Sequence, residues 1–178
     1  MADRANLAIP DGFSDESLSA PRGLARHASP LSLALLGALM ALAFSGLLGG
    51  VEQHRQTANA EAVRLDVMSP AVIRNGELFE ARITVTPRRA IADLVIGVTP
   101  SLWRDITINT MIPAPGEESH DGGVFRFSFG PAEPGGPLEF KIDGQINPSR
   151  FGGTQGRVIV YDGDAKIAET AVRMRVLP

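Results

Sequence analysis

Hydrophobic residues follow two regimes along the chain. Residues 31–50 read LSLALLGALMALAFSGLLGG, a run with no charged side chain, in which only Ser32 and Ser45 are polar. From residue 61 the run gives way to short alternations. Val63, Leu65 and Val67 sit between charged neighbours, and Phe79, Ala81, Ile83 and Val85 interleave with Glu80, Arg82, Thr84 and Thr86. A period of two places one face of an extended chain in water and the other in a core. The pattern recurs at Leu94, Ile96 and Val98, at Ile106 and Ile108, at Phe125, Phe127 and Phe129, and at Leu138, Phe140, Ile142 and Ile146. It closes in the runs 158–161 and 167–176. Asn75-Gly76, Asp121-Gly122, Pro134-Gly135-Gly136 and Asp162-Gly163 punctuate these runs with residues that tolerate positive φ, and Asp162-Gly163 is the strongest hairpin signal. About eight strands at this spacing predict an all-β fold, an immunoglobulin-like β-sandwich over residues 61–178, with Trp103 packed over its core.

The apolar run predicts a transmembrane α-helix over residues 29–50, acting as an uncleaved signal anchor. About 20 residues at 1.5 Å each span roughly 30 Å, the thickness of a bilayer core. Ser29 suits the cap, Pro30 the first helical position and Gly49-Gly50 the end. Gly37, Ala41, Ser45 and Gly49 recur every four residues, a ridge of small side chains that lets a second helix approach closely. The competing expectation is a cleaved signal peptide, because Ala58-Asn59-Ala60 has the small-x-small form of a cleavage site. That site lies about ten residues beyond a run already longer than a usual signal-peptide core. Residues 1–28, broken by Pro10, Gly12, Pro21 and Gly23, read as a disordered tail, and residues 51–60 as a polar stalk. Arg22 and Arg26 before the helix balance Arg55 and Arg64 after it. His27, together with Glu52 and Glu61 beyond the helix, favours a cytoplasmic tail and an extracytoplasmic domain.

Composition narrows the chemistry. With 178 residues there is room for about one domain. Seventeen Lys and Arg against 20 Asp and Glu leave no basic excess, so nucleic acid is not an expected partner. Zero cysteines exclude disulfides, thiol catalysis and Cys-ligated metals. Only Lys141 and Lys166 are lysines, a skew toward arginine that points to a GC-rich bacterial genome. His27, His54 and His120 show no metal-ligand spacing, and Glu117-Glu118-Ser119-His120-Asp121 reads as a solvated acidic loop. No nucleophile elbow, phosphate loop or dinucleotide fingerprint occurs, so neither an enzymatic activity nor a cofactor is expected. Two loops carry apolar residues where turns alone would suffice. Met111 and Ile112 stand beside prolines in one, and Arg150 and Phe151 beside glycines in the other. These four are candidate contact residues, or else caps folded onto the ends of the sandwich.

The succession NGELFEARITVTPRRAIADLVIGVTP, then FRFSFGPAEPGGPLEFKIDGQI, resembles the Ig-like modules of bacterial surface proteins, including the CARDB-type and conserved surface-repeat modules. Gly76 precedes an alternating strand, and Pro134-Gly135 matches the turn that leads into a late strand of those modules. The likeness covers most of residues 61–178, although such modules often occur as repeats and this chain carries one copy. It implies a sandwich fold, a surface location and a role in binding or spacing. The expectation is therefore a non-enzymatic binding or assembly protein on a single-pass anchor in a bacterial cytoplasmic membrane. It would be an accessory subunit that meets a membrane-protein partner, or itself, through the helix. A free-standing surface or secreted module that binds a ligand or envelope component is the alternative.

Overall fold

The computed structural model of the protein describes residue 23 and residues 28–46, 53–147 and 152–178. The chain divides into two units, residues 1–44 and residues 45–178.

The first unit contains helix α1 (Ala28–Phe44). Ser29 and Pro30 lie in its first turn, where the missing proline N–H costs nothing. It stops at Phe44 because Gly46 adopts a left-handed conformation, φ 73°, the usual way a glycine closes a helix. The glycine pair expected to end it lies further on, and residues 47–50, Gly49 among them, fall outside the described residues. Among the described residues no helix is long and apolar enough to cross a membrane; α1 has 17 residues. Its side chains are apolar all round, and Leu31, Leu33, Leu35, Leu36, Leu39 and Met40 are exposed.

The second unit holds two facing sheets. Its strands are β1 (Gln53–Asn59), β2 (Val63–Pro70), β3 (Val72–Arg74), β4 (Leu78–Pro87), β5 (Leu94–Val98) and β6 (Ile106–Ile112). They continue with β7 (Glu117–Asp121), β8 (Val124–Ser128), β9 (Leu138–Ile146), β10 (Thr154–Asp162) and β11 (Ala165–Leu177). A single helical turn, α2 (Pro100–Trp103), follows β5. One sheet has the order β1-β2-β4-β9-β6, the other β3-β11-β10-β5-β8-β7. In chain order β2, β4, β5, β6, β9, β10 and β11 reproduce the A-to-G succession of an immunoglobulin-like sandwich. The row β2-β4-β9-β6 forms its ABED sheet and β5-β10-β11 its CFG sheet. Three elements are added to this frame. β1 extends the first sheet, β3 crosses to pair in parallel with β11, and the β7–β8 hairpin is inserted beside β5.

These additions correct the sequence expectation. Residues 53–59 are not a stalk: every one of them pairs with β2, from Gln53 opposite Pro70 to Asn59 opposite Arg64. Their pattern is faint because Ala58 and Ala60, which pack against the core, are too small to mark an apolar face. The sandwich therefore starts at Gln53, eight residues before the expected boundary at residue 61. Likewise the acidic stretch is no loop. Glu117–Asp121 is an edge strand whose five residues are all exposed, so it shows no alternation. Met111 and Ile112 belong to β6, not to a loop.

The core lies between the sheets. Leu65, Val85 and Phe140 from one side meet Ile96, Val98 and Val160 from the other, all at 0% exposure. Burying each such side chain contributes about 1.5–3 kcal/mol. Ile73, Phe79, Ile146, Met174 and Val176 form a smaller cluster of buried residues. Trp103 is half-buried and packs over the core as expected, its ring 5.9 Å from Phe125 and 5.5 Å from Phe127.

Candidate functional site

A large concave surface is built where α2 rests on β10. Close approach requires Gly156, since a Cβ there would come 2.3 Å from Thr99 Oγ1 and 2.9 Å from the Leu102 nitrogen. Two hydroxyls fasten the turn. Thr99 Oγ1 accepts the Arg157 N–H at 2.9 Å. The buried Thr154 hydroxyl lies 2.8 Å from the Ser101 carbonyl and against that of Leu102, and gives its one proton to this pair. Backbone carbonyls left free at the end of so short a helix would otherwise lack a partner.

This packing sets Ser101 and Arg104 beside the outward face of β10 and β11. On β11, Val172, Met174 and Val176 point into the core, so Arg173 and Arg175 point out. Gln155, opposite Arg173 in the register, accepts a hydrogen bond from its Nη2 at 3.0 Å. The result is a groove of two contiguous hollows, about 820 and 660 Å³, that share Ser101, Gln155, Arg173 and Arg175. One hollow reaches Arg157 and, on β1, His54 and Gln56; the other reaches Arg104 and the Gly152-Gly153 turn. Among the described residues four arginines line the groove, and no carboxylate does. Only Arg157 has an ion-pair partner among the described residues, Glu169 at 3.5 Å. Guanidinium groups so arranged match carboxylate or phosphate oxygens, because the planar fork donates two parallel hydrogen bonds.

The opposite side of the same sheet face is acidic. Asp93, Glu117, Asp121 and Asp164 surround Arg126 in a hollow of about 310 Å³. Arg126 Nη2 donates to the Gly163 carbonyl at 2.6 Å and to Asp164 at 3.0 Å, and its guanidinium stacks 4.5 Å above the Tyr161 ring. Asp162 ties this corner together, accepting N–H groups from Ala92 at 2.9 Å and Asp93 at 3.4 Å and a bond from Arg89 at 3.2 Å. Burial alone would raise its pKa, but these donors outweigh burial and hold the carboxyl below its ordinary value.

The residues singled out from the sequence are not brought together. Met111 is half-buried against the core, whereas Ile112, at the end of β6, is 56% exposed. Arg150 and Phe151 lie outside the described residues. Gly37, Ala41 and Ser45 are exposed at or just beyond α1. His120 packs on Phe125 with the rings tilted by 54°, centroids 5.0 Å apart. Among the described residues no three His, Asp or Glu side chains are grouped so as to hold a metal ion. The groove arginines escaped the sequence reading because they come from the residue after α2, from β10 and from β11. The local signal was the alternation of Arg173 and Arg175 with buried residues.

No protein-family model matches the chain, and no curated protein matches it in sequence. Solved structures similar to it include a CARDB domain from Pyrococcus furiosus, in complex with di-metal ions. At 12% identity it covers 68% of this chain and 95% of that one, with a TM-score of 0.43. A chain of the CaDoc0917–CaCohA2 complex matches at 12% identity over 60% of this chain and 94% of its own, TM-score 0.41. A non-cellulosomal cohesin from Archaeoglobus fulgidus matches at 6% identity over 62% and 88%, TM-score 0.36.

Proposed function

We propose that the protein is a membrane-anchored, non-enzymatic binding module whose sandwich recruits or assembles with another protein. The observation that carries this reading is the arginine-lined groove, a large concave surface that among the described residues is lined by four cationic side chains and no carboxylate. Such a surface favours an anionic partner over a neutral one. A helix that is apolar on every face belongs in a protein core or in lipid. The exposed leucines of α1, continued in sequence by Leu47 and Leu48, therefore support an anchor over residues 29–50. The pairing of β1 supports retention of the leader, since cleavage after Ala60 would remove a whole strand from its sheet. In this reading the tail lies in the cytoplasm and the sandwich outside a bacterial cytoplasmic membrane.

The test is alkaline carbonate extraction of cells that express the full chain, followed by protease protection of spheroplasts. The chain should stay in the membrane pellet with Met1 or Ala2 as its N-terminus, and the sandwich should be cut only by protease added outside. Release into the carbonate supernatant would refute the anchor. Purification in mild detergent then tests binding: a stoichiometric protein partner, whether a different protein or a second copy of the chain, should be lost when Arg173 and Arg175 are changed to Glu.

A further inference from the structure

The outer face of the six-stranded sheet carries opposite charge at its two sides. Arg157, Arg173 and Arg175 project from β10 and β11. Glu117 and Asp121 project from β7, joined by Asp164 of the β10–β11 turn and by Asp93. Between β11 and β7 lie four strand spacings, about 19 Å. Neither side neutralises the other within one chain. Among the described residues no carboxylate pairs with Arg104, Arg173 or Arg175, and no cation pairs with Asp93 or Glu117. Among the described residues Arg126 is the one cation lining the acidic hollow, and it is already committed to Asp121 and Asp164.

We propose that the acidic side of one copy docks into the arginine groove of the next, so that the chain associates with itself head to tail. Three observations favour a second copy as the occupant. The required anionic surface is present on the chain. It is also accessible, since the Asp121 and Asp164 side chains are 79% and 100% exposed. Finally, Glu117 and Asp121 belong to the hairpin that the seven-strand frame does not need, and no residue of β7 is buried. Both acidic tips project on tight two-residue turns, Gly122-Gly123 with φ 57° and 74°, and Gly163-Asp164 with φ 59° at the glycine. Two different patches meeting each other make a heterologous contact, which propagates into a ring or filament and does not stop at a symmetric dimer.

The proposal rests on the sandwich being a binding module and is independent of the anchor, which carbonate extraction tests separately. The full chain in a non-ionic detergent is followed by light scattering at about 50 mM and about 500 mM salt, between which charge screening rises steeply. Its weight-average protein mass should fall at least about twofold on going to high salt. R173E/R175E and D121K/D164K should each show the lower mass at both salts. An equimolar mixture of the two should regain salt-sensitive assembly of alternating chains, because the native acidic side meets the native groove and the reversed side meets the reversed groove. The variant with all four reversals should regain salt-sensitive assembly, which separates loss of docking from loss of folding. Association through the helix alone would ignore both salt and charge reversal, and that outcome overturns the proposal. So does a single-chain particle at both salts. If such a particle retains phosphatidylglycerol in native mass spectrometry and R173E/R175E does not, the groove belongs to an anionic lipid.

Discussion

Gly156 shows how one missing methyl group shapes the surface of this protein. With no side chain there, α2 settles on β10 and carries Ser101 and Arg104 to the groove. Gly156→Ala should force α2 outward and lower stability by about 2 kcal/mol, the cost typical of overpacking, as read from urea denaturation. Gly153 is under a stricter demand: its φ is 111°, and a Cβ would come 2.2 Å from the Met174 carbonyl oxygen. Asp162 and Asp66 act through charge. Asp66 bonds Arg64 at 2.8 Å and also accepts from the Thr57 hydroxyl, and both contacts lower its pKa. For each carboxyl the folded value lies below the ordinary 3.8, so the unfolded chain takes up protons first as pH falls. Their contribution to stability is complete above that ordinary value and is lost as pH drops through the folded one. The urea midpoint should therefore decline on acidification below about pH 4, and D162N should decline less steeply. An equal slope in D162N would show that Asp162 does not contribute. Glycines and aspartates are visible in a sequence, but what stands 2 to 3 Å from them is not.

Among the elements, the alternating strands were legible because each buries one apolar face, as with Ile83 and Val85 of β4. β1 and β7 were not, because an edge strand with polar residues on both faces has no period to read. β1 nevertheless covers the flank of β2 along its full length. A sandwich that starts at Glu61 should thus melt at a lower temperature than one that starts at Gln53, and it should aggregate more readily, since it exposes β2 as a new edge. Equal melting temperatures would make β1 an ornament of the sheet. For α1 the decisive feature is its small-residue row, with Gly37 and Ala41 exposed one turn apart. If this row packs on another helix, A41I with S45I should weaken association that persists in high salt. The charge reversals on the sandwich should leave that component unchanged.

Across the whole molecule, the arginines of the groove are surface residues whose value is positional. R173E/R175E should change the stability of the sandwich little, within about 0.5 kcal/mol per exposed site, while it removes salt-sensitive association. A large drop in melting temperature would instead make these arginines structural. The sandwich class could be read from period-two alternation and turn residues alone, because those patterns report local conformation and which side of a strand is buried. The apolar run at residues 31–50 was equally plain, since the solubility of a segment depends on its own side chains. Sheet order, the pairing of β1 and the insertion of β7–β8 needed the tertiary structure, because strand pairing joins residues distant along the chain. The same holds for the charged face. Arg104 and Arg175 are 71 positions apart in a chain of nearly balanced charge, and only the packing of α2 on β10 sets them along one groove, opposite the acids of β7.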